Sequence, residues 1–385
     1  MATLPYDIIV REILPKLPAR SLLRFKCVSK SFKTQISCPE FINLHLQHGL
    51  SNNSNRLLIL INHHNLLCMV MDSPKSRPLT AHPCTDYYGR PCYDFDSPIC
   101  IGSCNGLLCI FKPLSNTLFP LFTLVNPCTG ISLMIPHSEP APKYYGTLIS
   151  VNSVNFGFGF DSLDNNYKIV CILDYMEGDF LTRDVLVYSL NNTNKSWTWK
   201  LALSAPSPNG SLEHNRQNGV LINNHLLHWK FSCADNEYRI GCFDVESEKW
   251  VKDVPVPEYR QKTSTELHLG VLDSCLCLLT ENLNDEILDV WMMKKYGVKE
   301  SWVKLFGISD LFIGKDWKLC YLGYCGAAKD EIFIIRLNKS INVVRLLSYN
   351  VHDKSLKLGG CFFTTDVCTC HGSLVSLPGG QKIGN

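Results

Sequence analysis

The sequence lacks the features that mark membrane, nucleotide-binding and secreted proteins. It has 385 residues and no apolar run of the roughly eighteen residues that a membrane-spanning helix requires. Asp7, Arg11 and Glu12 interrupt the apolar residues near the start, so a signal peptide is not expected. A G-x-x-x-x-G-K-[ST] loop is absent, and Gly157-Phe158-Gly159 lacks the third glycine of a dinucleotide fingerprint. The formal net charge of +2 favours neither a nucleic acid nor a membrane surface as a partner.

Cysteine is plentiful, but its spacing does not resemble a zinc site. There are 19 cysteines, and the nearest approaches to a ligand cluster are Cys275-x-Cys277 and Cys368-x-Cys370-His371, neither with a matching second half. We expect reduced, mostly buried thiols, no metal, no cofactor, and a cytoplasmic and/or nuclear protein. No Ser/His/Asp order or carboxylate pair predicts catalysis, so a non-enzymatic role is favoured.

Helical signals dominate the first fifty residues. Pro5 suits the first turn of a helix, Ile9 and Ile13 share one helical face, and Pro15 predicts an end near Leu14. A second helix is predicted from Pro18, a third over residues 29–36, and a capping box at residues 37–40. Three short helices cannot bury all of their aliphatic side chains among themselves. Some of these side chains must therefore face the rest of the chain or a partner.

The same stretch contains four short motifs: Leu4-Pro5-x-Asp7, Ile13-Leu14-x-x-Leu17-Pro18, Leu22-x-Arg24-x-Lys26-Cys27-Val28-x-Lys30-x-Phe32 and Pro39-x-Phe41. In this order they resemble the F-box of plant F-box proteins. This resemblance implies docking to the SKP-type adaptor of a cullin-based (SCF) ubiquitin ligase. The residues expected to contact the adaptor are Leu4, Pro5, Ile8, Ile13, Leu14, Leu17, Pro18, Leu22, Leu23, Cys27 and Val28. A second hypothesis is that some of the nearby basic residues steer an acidic partner; they are Arg20, Arg24, Lys26, Lys30 and Lys33.

Short strand signals replace the helical pattern after residue 55. Asn105-Gly106 predicts a hairpin turn, and residues 156–160 alternate phenylalanine with glycine, which leaves one strand face bare for a close neighbour. A weak repeat of about 56 residues recurs near positions 70, 125, 187, 243, 290 and 348, close to the roughly 40–50 residues of a propeller blade. We predict an all-β propeller of about six blades. Five or seven blades, or a pair of β-sandwiches that do not close into a ring, are the alternatives.

A second resemblance covers most of residues 100–360. Gly157-Phe158-Gly159-Phe160-Asp161 and Asp289-Val290-Trp291-Met292-Met293 are among the pieces similar to the kelch-related F-box-associated domain. The predicted organisation is α+β and multidomain: a three-helix F-box (1–47), a linker (48–55), a propeller-like substrate-binding domain (56–378) and a flexible tail (379–385). The loops at 80–98, 143–154, 204–218 and 259–266 are candidates for target specificity.

The two resemblances together imply a function. They imply the substrate-recognition subunit of an SCF-type ubiquitin ligase, with the adaptor, through it cullin, and an unidentified target protein as partners. A stand-alone propeller that binds proteins, capped by its own helices, is the alternative.

Overall fold

The computed structural model describes most of the chain. The described residues are 6–51, 55–62, 65–70, 80–83, 98–112, 121–136, 138, 150–190, 196–206, 211–212, 218–232, 238–258, 265–282, 287–309, 317–325, 331–338, 340–377 and 381–382. Within them, none of the helices has the length and apolar character needed to span a bilayer. The predicted adaptor contacts Leu4 and Pro5 lie outside the described residues.

The helical region begins the described chain. Its first segment starts as α1 (Tyr6–Ile8), continues as a π-helical turn (Ile9–Ile13) and ends as a 3₁₀ turn (Leu14–Lys16). Three further helices follow: α2 (Ala19–Phe25), α3 (Lys30–Ser37) and α4 (Pro39–Ser51). The prediction of a third helix from Ser29 is confirmed, because the Ser29 hydroxyl accepts a hydrogen bond from the Phe32 amide at 3.1 Å.

Two details of the helical prediction are wrong. Ser37 is the last residue of α3, and α4 begins at Pro39, so Ser37 does not cap a helix with Glu40. Proline at the first helical position starts α4 instead, since its missing N–H has no intrahelical partner there. α4 also continues to Ser51, so residues 48–51 belong to a fourth helix rather than to the predicted linker.

Six antiparallel sheets form the remainder, and each is one blade of a propeller. Blade 1 contains β25 (Asp366–His371), β1 (Arg56–Ile61), β2 (Asn65–Val70) and β3 (Thr80–Pro83). Blade 2 contains β4 (Ile99–Cys104), β5 (Leu107–Lys112), β6 (Leu121–Asn126), β7 (Ile131–Met134) and β26 (Gln381–Lys382). Blade 3 contains β8 (Ser150–Asp161), β9 (Asn166–Glu177), β10 (Phe180–Leu190) and β11 (Trp197–Pro206).

The other three blades follow in chain order. Blade 4 contains β12 (Ser211–Leu212), β13 (Val220–Ile222), β14 (Leu226–Ser232), β15 (Tyr238–Asp244) and β16 (Lys249–Val254). Blade 5 contains β17 (Thr265–Leu272), β18 (Cys275–Asn282), β19 (Ile287–Met293) and β20 (Trp302–Ile308). A 3₁₀ turn (Lys299–Ser301) precedes β20. Blade 6 contains β21 (Trp317–Cys325), β22 (Glu331–Asn338), β23 (Val343–Asn350) and β24 (Leu356–Phe363).

Blade 1 closes the ring. Its innermost strand, β25, comes from the far end of the chain and pairs along its length with β1, from Arg56↔His371 to Ile61↔Asp366. This pairing joins the two ends of the propeller and completes blade 1 with strands from both ends of the ring. Within the stretch predicted to be a flexible tail, Gln381 and Lys382 pair with Ser132 and Ile131 at the outer edge of blade 2, and the flexibility of this stretch stays a prediction.

The six-blade prediction and the repeat are confirmed. Each repeat position lies in the third strand of a blade, as at Val125 in β6, Val187 in β10 and Val290 in β19. The glycines of the Phe-Gly-Phe-Gly-Phe run serve close packing, as predicted. A Cβ added at Gly157 would lie 2.8 Å from Trp229 Cζ2 of the neighbouring blade.

The propeller has two distinct faces. One face carries the turns that follow the innermost strands, including Asn105–Gly106 and Asp273–Ser274. We call it the helix-side face, because Leu50 and Ser51 of α4 line the same cavity as these turns. We call the opposite face open, because none of the described helices lies on it; it carries the starts of the innermost strands, such as Ile99 and Thr265. In an antiparallel blade, every link from an outermost strand to the next innermost strand begins and ends at this open face.

Candidate functional site

The helices form a small core of their own that the propeller completes. This core contains Val10, Leu14, Ala19, Leu22, Ile36 and Phe41 from the helices and Leu374 from the segment after β25. The buried imidazole of His45 hydrogen-bonds through Nε2 to the Leu17 carbonyl oxygen at 2.9 Å, which ties α4 to the first segment. Cys128, in the turn after β6, also packs against this core. The helices are therefore seated on the propeller without being enclosed by it.

The predicted adaptor-contact residues divide by burial. Leu14 and Leu22 are 3% and 0% exposed inside the helical core, so in this chain they stabilise the fold and offer no free surface. Their assignment as surface contacts is corrected for that reason. Leu17 and Leu23 are half-buried. The exposed members are Ile8, Ile13, Pro18, Cys27 and Val28, and Val28 is 65% exposed. Adaptor contact by the exposed and half-buried members stays a prediction.

An aromatic cluster that the contact prediction missed lies on the same helices. The rings of Tyr6 and Phe32 stack with centroids 6.3 Å apart, and Phe25 lies 6.2 Å from Phe32. Tyr6 is 45% and Phe25 36% exposed, and the Tyr6 hydroxyl is 3.0 Å from the Ser31 hydroxyl. No sequence spacing predicts this cluster, because Phe25 ends α2 and Phe32 lies in α3, and helical periodicity does not continue across the break between them. Exposed aromatic side chains of this kind are frequent anchors in protein interfaces.

Positive charge borders the aromatic cluster. Arg24, Lys30 and Lys33 are exposed. Partial burial, together with the nearby charge of Lys33, lowers the pKa of Lys26. That coupling shows that part of the basic group predicted from the sequence is also close in space. The surface thus combines apolar anchors with cations, which is the composition expected for docking an acidic, partly apolar protein.

The propeller axis is hollow. A cavity of about 340 Å³ is lined by residues of the innermost strands, including Gly102, His268 and Thr369. A second cavity of about 450 Å³ opens toward the helix-side face and includes Leu50 and Ser51. The helices thus border one end of the axis, and the open face is at the other end.

Buried polar groups of the propeller are held in neutral or paired states. His228 Nε2 lies 2.6 Å from the Tyr296 hydroxyl, which in turn donates to Cys242 Sγ at 3.3 Å. Burial lowers the pKa of His228 to about 4 and raises the pKa of Cys242 to about 11, so both are neutral at pH 7. A neutral, buried thiol is a poor nucleophile, and this chain of side chains connects blades 4 and 5.

The cysteine clusters singled out in the sequence lie in strands. Cys275 and Cys277 alternate in β18, and both pack against the core between blades 5 and 6, as predicted. Cys368 and Cys370 share one face of β25 and pack in the core between blades 1 and 2. His371 is the next residue and points to the other face of the strand. Among the described cysteines, only Cys27 and Cys361 are exposed.

These features define a class of protein: a small helical module seated on one face of a six-bladed β-propeller. The chain belongs to the family of F-box proteins with an F-box-associated β-propeller. The F-box domain model matches residues 2–44, and the model of the F-box associated beta propeller domain matches residues 25–360.

Similar proteins agree with this assignment. The chain is 31% identical to F-box protein CPR1 of Arabidopsis thaliana over 326 residues, covering 80% of this chain and 73% of the relative. It is 28% identical to F-box protein At3g07870 over 335 residues, covering 80% of this chain and 73% of that relative. It is 25% identical to F-box protein At4g22390 over 393 residues, covering 95% and 89%. At3g07870 and At4g22390 are also proteins of Arabidopsis thaliana, so the chain is a plant-type F-box protein.

Proposed function

We propose that this protein is a substrate-recognition subunit of an SCF-type ubiquitin ligase. The observation that carries the proposal is the uncovered apolar surface of the F-box helices, where Ile8, Ile13 and Val28 are 45%, 41% and 65% exposed. An SKP-type adaptor would cover these side chains and connect the protein to cullin. The F-box-associated propeller would hold a target protein, so that its lysines reach the ubiquitin-charged enzyme at a high local concentration.

The open face is the proposed target-binding face. The four stretches predicted as specificity loops span the links from the outermost strand of one blade to the innermost strand of the next. The loop prediction is wrong for part of each stretch, because residues 80–83, 150–154, 204–206, 211–212 and 265–266 belong to strands. The described strand ends that flank them therefore lie on the open face, away from α4. This arrangement supports simultaneous binding of an adaptor and a target. The role is non-catalytic, in the cytoplasm and/or nucleus, without a nucleic acid or membrane partner.

The alternative is a stand-alone binding module capped by its own helices. The entry of Leu374 into the helical core favours it, because the helices and propeller share that contact. However, a cap would bury its apolar residues against the propeller, whereas Val28 and Ile8 remain exposed. We therefore rank the receptor function first.

Adaptor binding tests the proposal, and the burial pattern selects the variants. The double variant Ile8→Ala/Val28→Ala removes exposed side chains, so it should fold normally. Loss of interface anchors worth about 2 kcal/mol each would weaken the adaptor affinity by two to three orders of magnitude. Leu44→Ala is the matched control, because Leu44 is 42% exposed on α4 and is not a predicted contact. Variants of Leu14 or Leu22 are unsuitable, since a buried Leu→Ala change costs about 2–5 kcal/mol of stability.

Binding would be measured by titration of purified SKP-type adaptor. Unchanged affinity of the double variant, with a normal thermal transition, would contradict the proposed adaptor surface. Equal weakening by Leu44→Ala would show that the effect is not specific to that surface.

A further inference from the structure

Two glutamates face each other at the open end of blade 5. Glu266 of β17 is the direct cross-strand partner of Glu281 of β18. Like charges in directly opposed positions repel each other and destabilise a hairpin. His268 is two residues after Glu266 and therefore shares its strand face. Arg336 of blade 6 pairs with Glu281 and offsets part of this repulsion.

The three side chains converge on a common point. One ligand atom from each of Glu266, His268 and Glu281 lies within 4.8 Å of the others. His268 Nε2 is 3.6 Å from Glu266 Oε2 and 3.8 Å from Glu281 Oε2. These separations are too long for hydrogen bonds, and the buried Nε2 atom has no hydrogen-bond partner among the described residues. Ligands bound to one metal at about 2.0–2.1 Å in a tetrahedron lie about 3.3–3.4 Å apart. The two histidine–carboxylate separations are therefore close to those of ligands that share one ion.

The second carboxylate is already held in position. Arg336 Nη2 of blade 6 lies 2.5 Å from Glu281 Oε1. The same Nη2 group donates to the Trp317 carbonyl oxygen. Because Arg336 is bound to one oxygen of Glu281, the other oxygen, Oε2, is directed to His268. Outer partners that fix one oxygen of a carboxylate in this way are typical of metal centres.

The site is accessible from solvent. The Glu266 side chain is 54% exposed, whereas those of His268 and Glu281 are 11% and 7% exposed. His268 also lines the axial cavity. An ion could enter past Glu266 and reach the two more buried ligands without a change in the strands.

We infer that Glu266, His268 and Glu281 form a binding site for one divalent transition-metal ion of the Zn²⁺ or Co²⁺ class. An imidazole with two carboxylates suits these ions, and three protein ligands leave at least one position for water or another ligand. The ion would neutralise the opposed carboxylates and join the first two strands of blade 5. The site lies at the open face, and its occupancy does not depend on the ubiquitin-ligase role.

A second cluster in the chain provides a matched control. His225, Asp244 and Glu246 also bring their ligand atoms within 4.8 Å of one another. Their carboxylates are already engaged: Asp244 accepts from Ser247 at 2.7 Å, and Glu246 accepts from the Ser162 amide at 3.2 Å. His225 Nδ1 lies 2.7 Å from the Asn223 carbonyl oxygen. Because these three side chains are already hydrogen-bonded, we expect His225→Gln to leave metal binding unchanged.

The test is titration of the chelator-treated full chain with Co²⁺ and Zn²⁺, followed by calorimetry and by visible absorption for Co²⁺. We expect one tight site per chain, with a d–d spectrum of nitrogen and oxygen ligands. Glu266→Gln and His268→Gln should each weaken affinity by at least about tenfold. Glu266 is largely exposed, so its variant should fold normally. Circular dichroism and the thermal transition would verify this.

Three results would overturn the inference. The first is a lack of stoichiometric binding at micromolar metal. The second is binding that survives both substitutions, or that His225→Gln removes instead. The third is a thiolate-to-cobalt charge-transfer band, which would assign the ion to cysteines.

Discussion

The contact between Gly157 and the neighbouring blade gives a quantitative test of how the propeller packs. Gly157 lies in β8, and an added Cβ would be 2.8 Å from Trp229 Cζ2 and 2.9 and 3.0 Å from the two Leu227 methyl carbons. Leu227 and Trp229 are 0% and 1% exposed, so neither can move into solvent. We predict that Gly157→Ala destabilises the protein, although alanine suits a strand better than glycine does.

The magnitude follows from overpacking. Inserting one methyl group into a closely packed interior typically costs about 1–3 kcal/mol. At about 2.1 cal/mol/K per residue, the unfolding entropy of a chain of this length converts that cost to a decrease of about 1–4 °C in Tm. Differential scanning calorimetry and urea unfolding would measure both quantities.

Gly102→Ala is the matched control for this prediction. Gly102 also lies in an innermost strand, but its added Cβ would be 3.4 Å from the nearest atom, an ordinary contact. That variant should be neutral or slightly stabilising. Trp229→Phe removes the Cζ2 atom, so the cost of Gly157→Ala should be smaller in that background. Equal stability of the Gly157→Ala and Gly102→Ala variants would refute the packing argument.

Three further predictions concern charge, pH and ring closure. Lys168 and Lys200 both pair with Glu248, at 2.8 and 2.5 Å, but their side chains are 4% and 68% exposed. Lys168→Ala should lower the free energy of unfolding in urea by about 3–5 kcal/mol, because buried Asp161 also loses its 2.7 Å partner. Lys200→Ala should lower it by about 1 kcal/mol or less, because that pair is exposed. Equal losses of stability in the two variants would contradict this prediction. Burial lowers the pKa of His228 from 6.5 to about 4, so the folded state resists protonation and stability should fall as pH decreases from 6.5 to 4. His228→Gln should reduce that pH dependence in unfolding experiments, and an unchanged slope would argue against it. A chain that ends at residue 364 lacks β25 and exposes the paired edge of β1, so it should lose its cooperative thermal transition. A chain that ends at residue 377 loses only the pairing of β26 and should retain that transition. A cooperative transition in the shorter chain would show that closure by β25 is not required.

Much of the fold could be predicted because local chemistry specifies it. The Asn105-Gly106 turn has positive φ at both residues, 53° and 78°, as the hairpin signal requires. The bare face of the Phe-Gly-Phe-Gly-Phe run required a close neighbour, and Trp229 and Leu227 supply it. The repeat in the third strands revealed the number of blades. These signals are local or periodic, so one sequence is enough to read them.

Contacts between distant segments could not be predicted in the same way. Leu14 and Leu22 have the same aliphatic character as exposed Ile8 and Ile13, and only the packing of four helices and Leu374 separates the buried pair from the exposed pair. The pairing of Gln381 and Lys382 with β7 depends on two segments that are about 250 positions apart in sequence, and two polar residues give no strand signal.

The candidate metal site shows the same limit more sharply. Searching the sequence for metal ligands relies on short spacings, and Glu266-x-His268 with Glu281 on the next strand matches none of them. Only the register of β17 and β18 places Glu281 opposite Glu266, and only the adjacent blade supplies Arg336 to hold its second oxygen. The ring thus brings together charged side chains that the strands alone do not show to be neighbours. The proposed metal site lies at the open face, where the links between blades begin and end, whereas the F-box helices keep their apolar surface on the other side of the propeller.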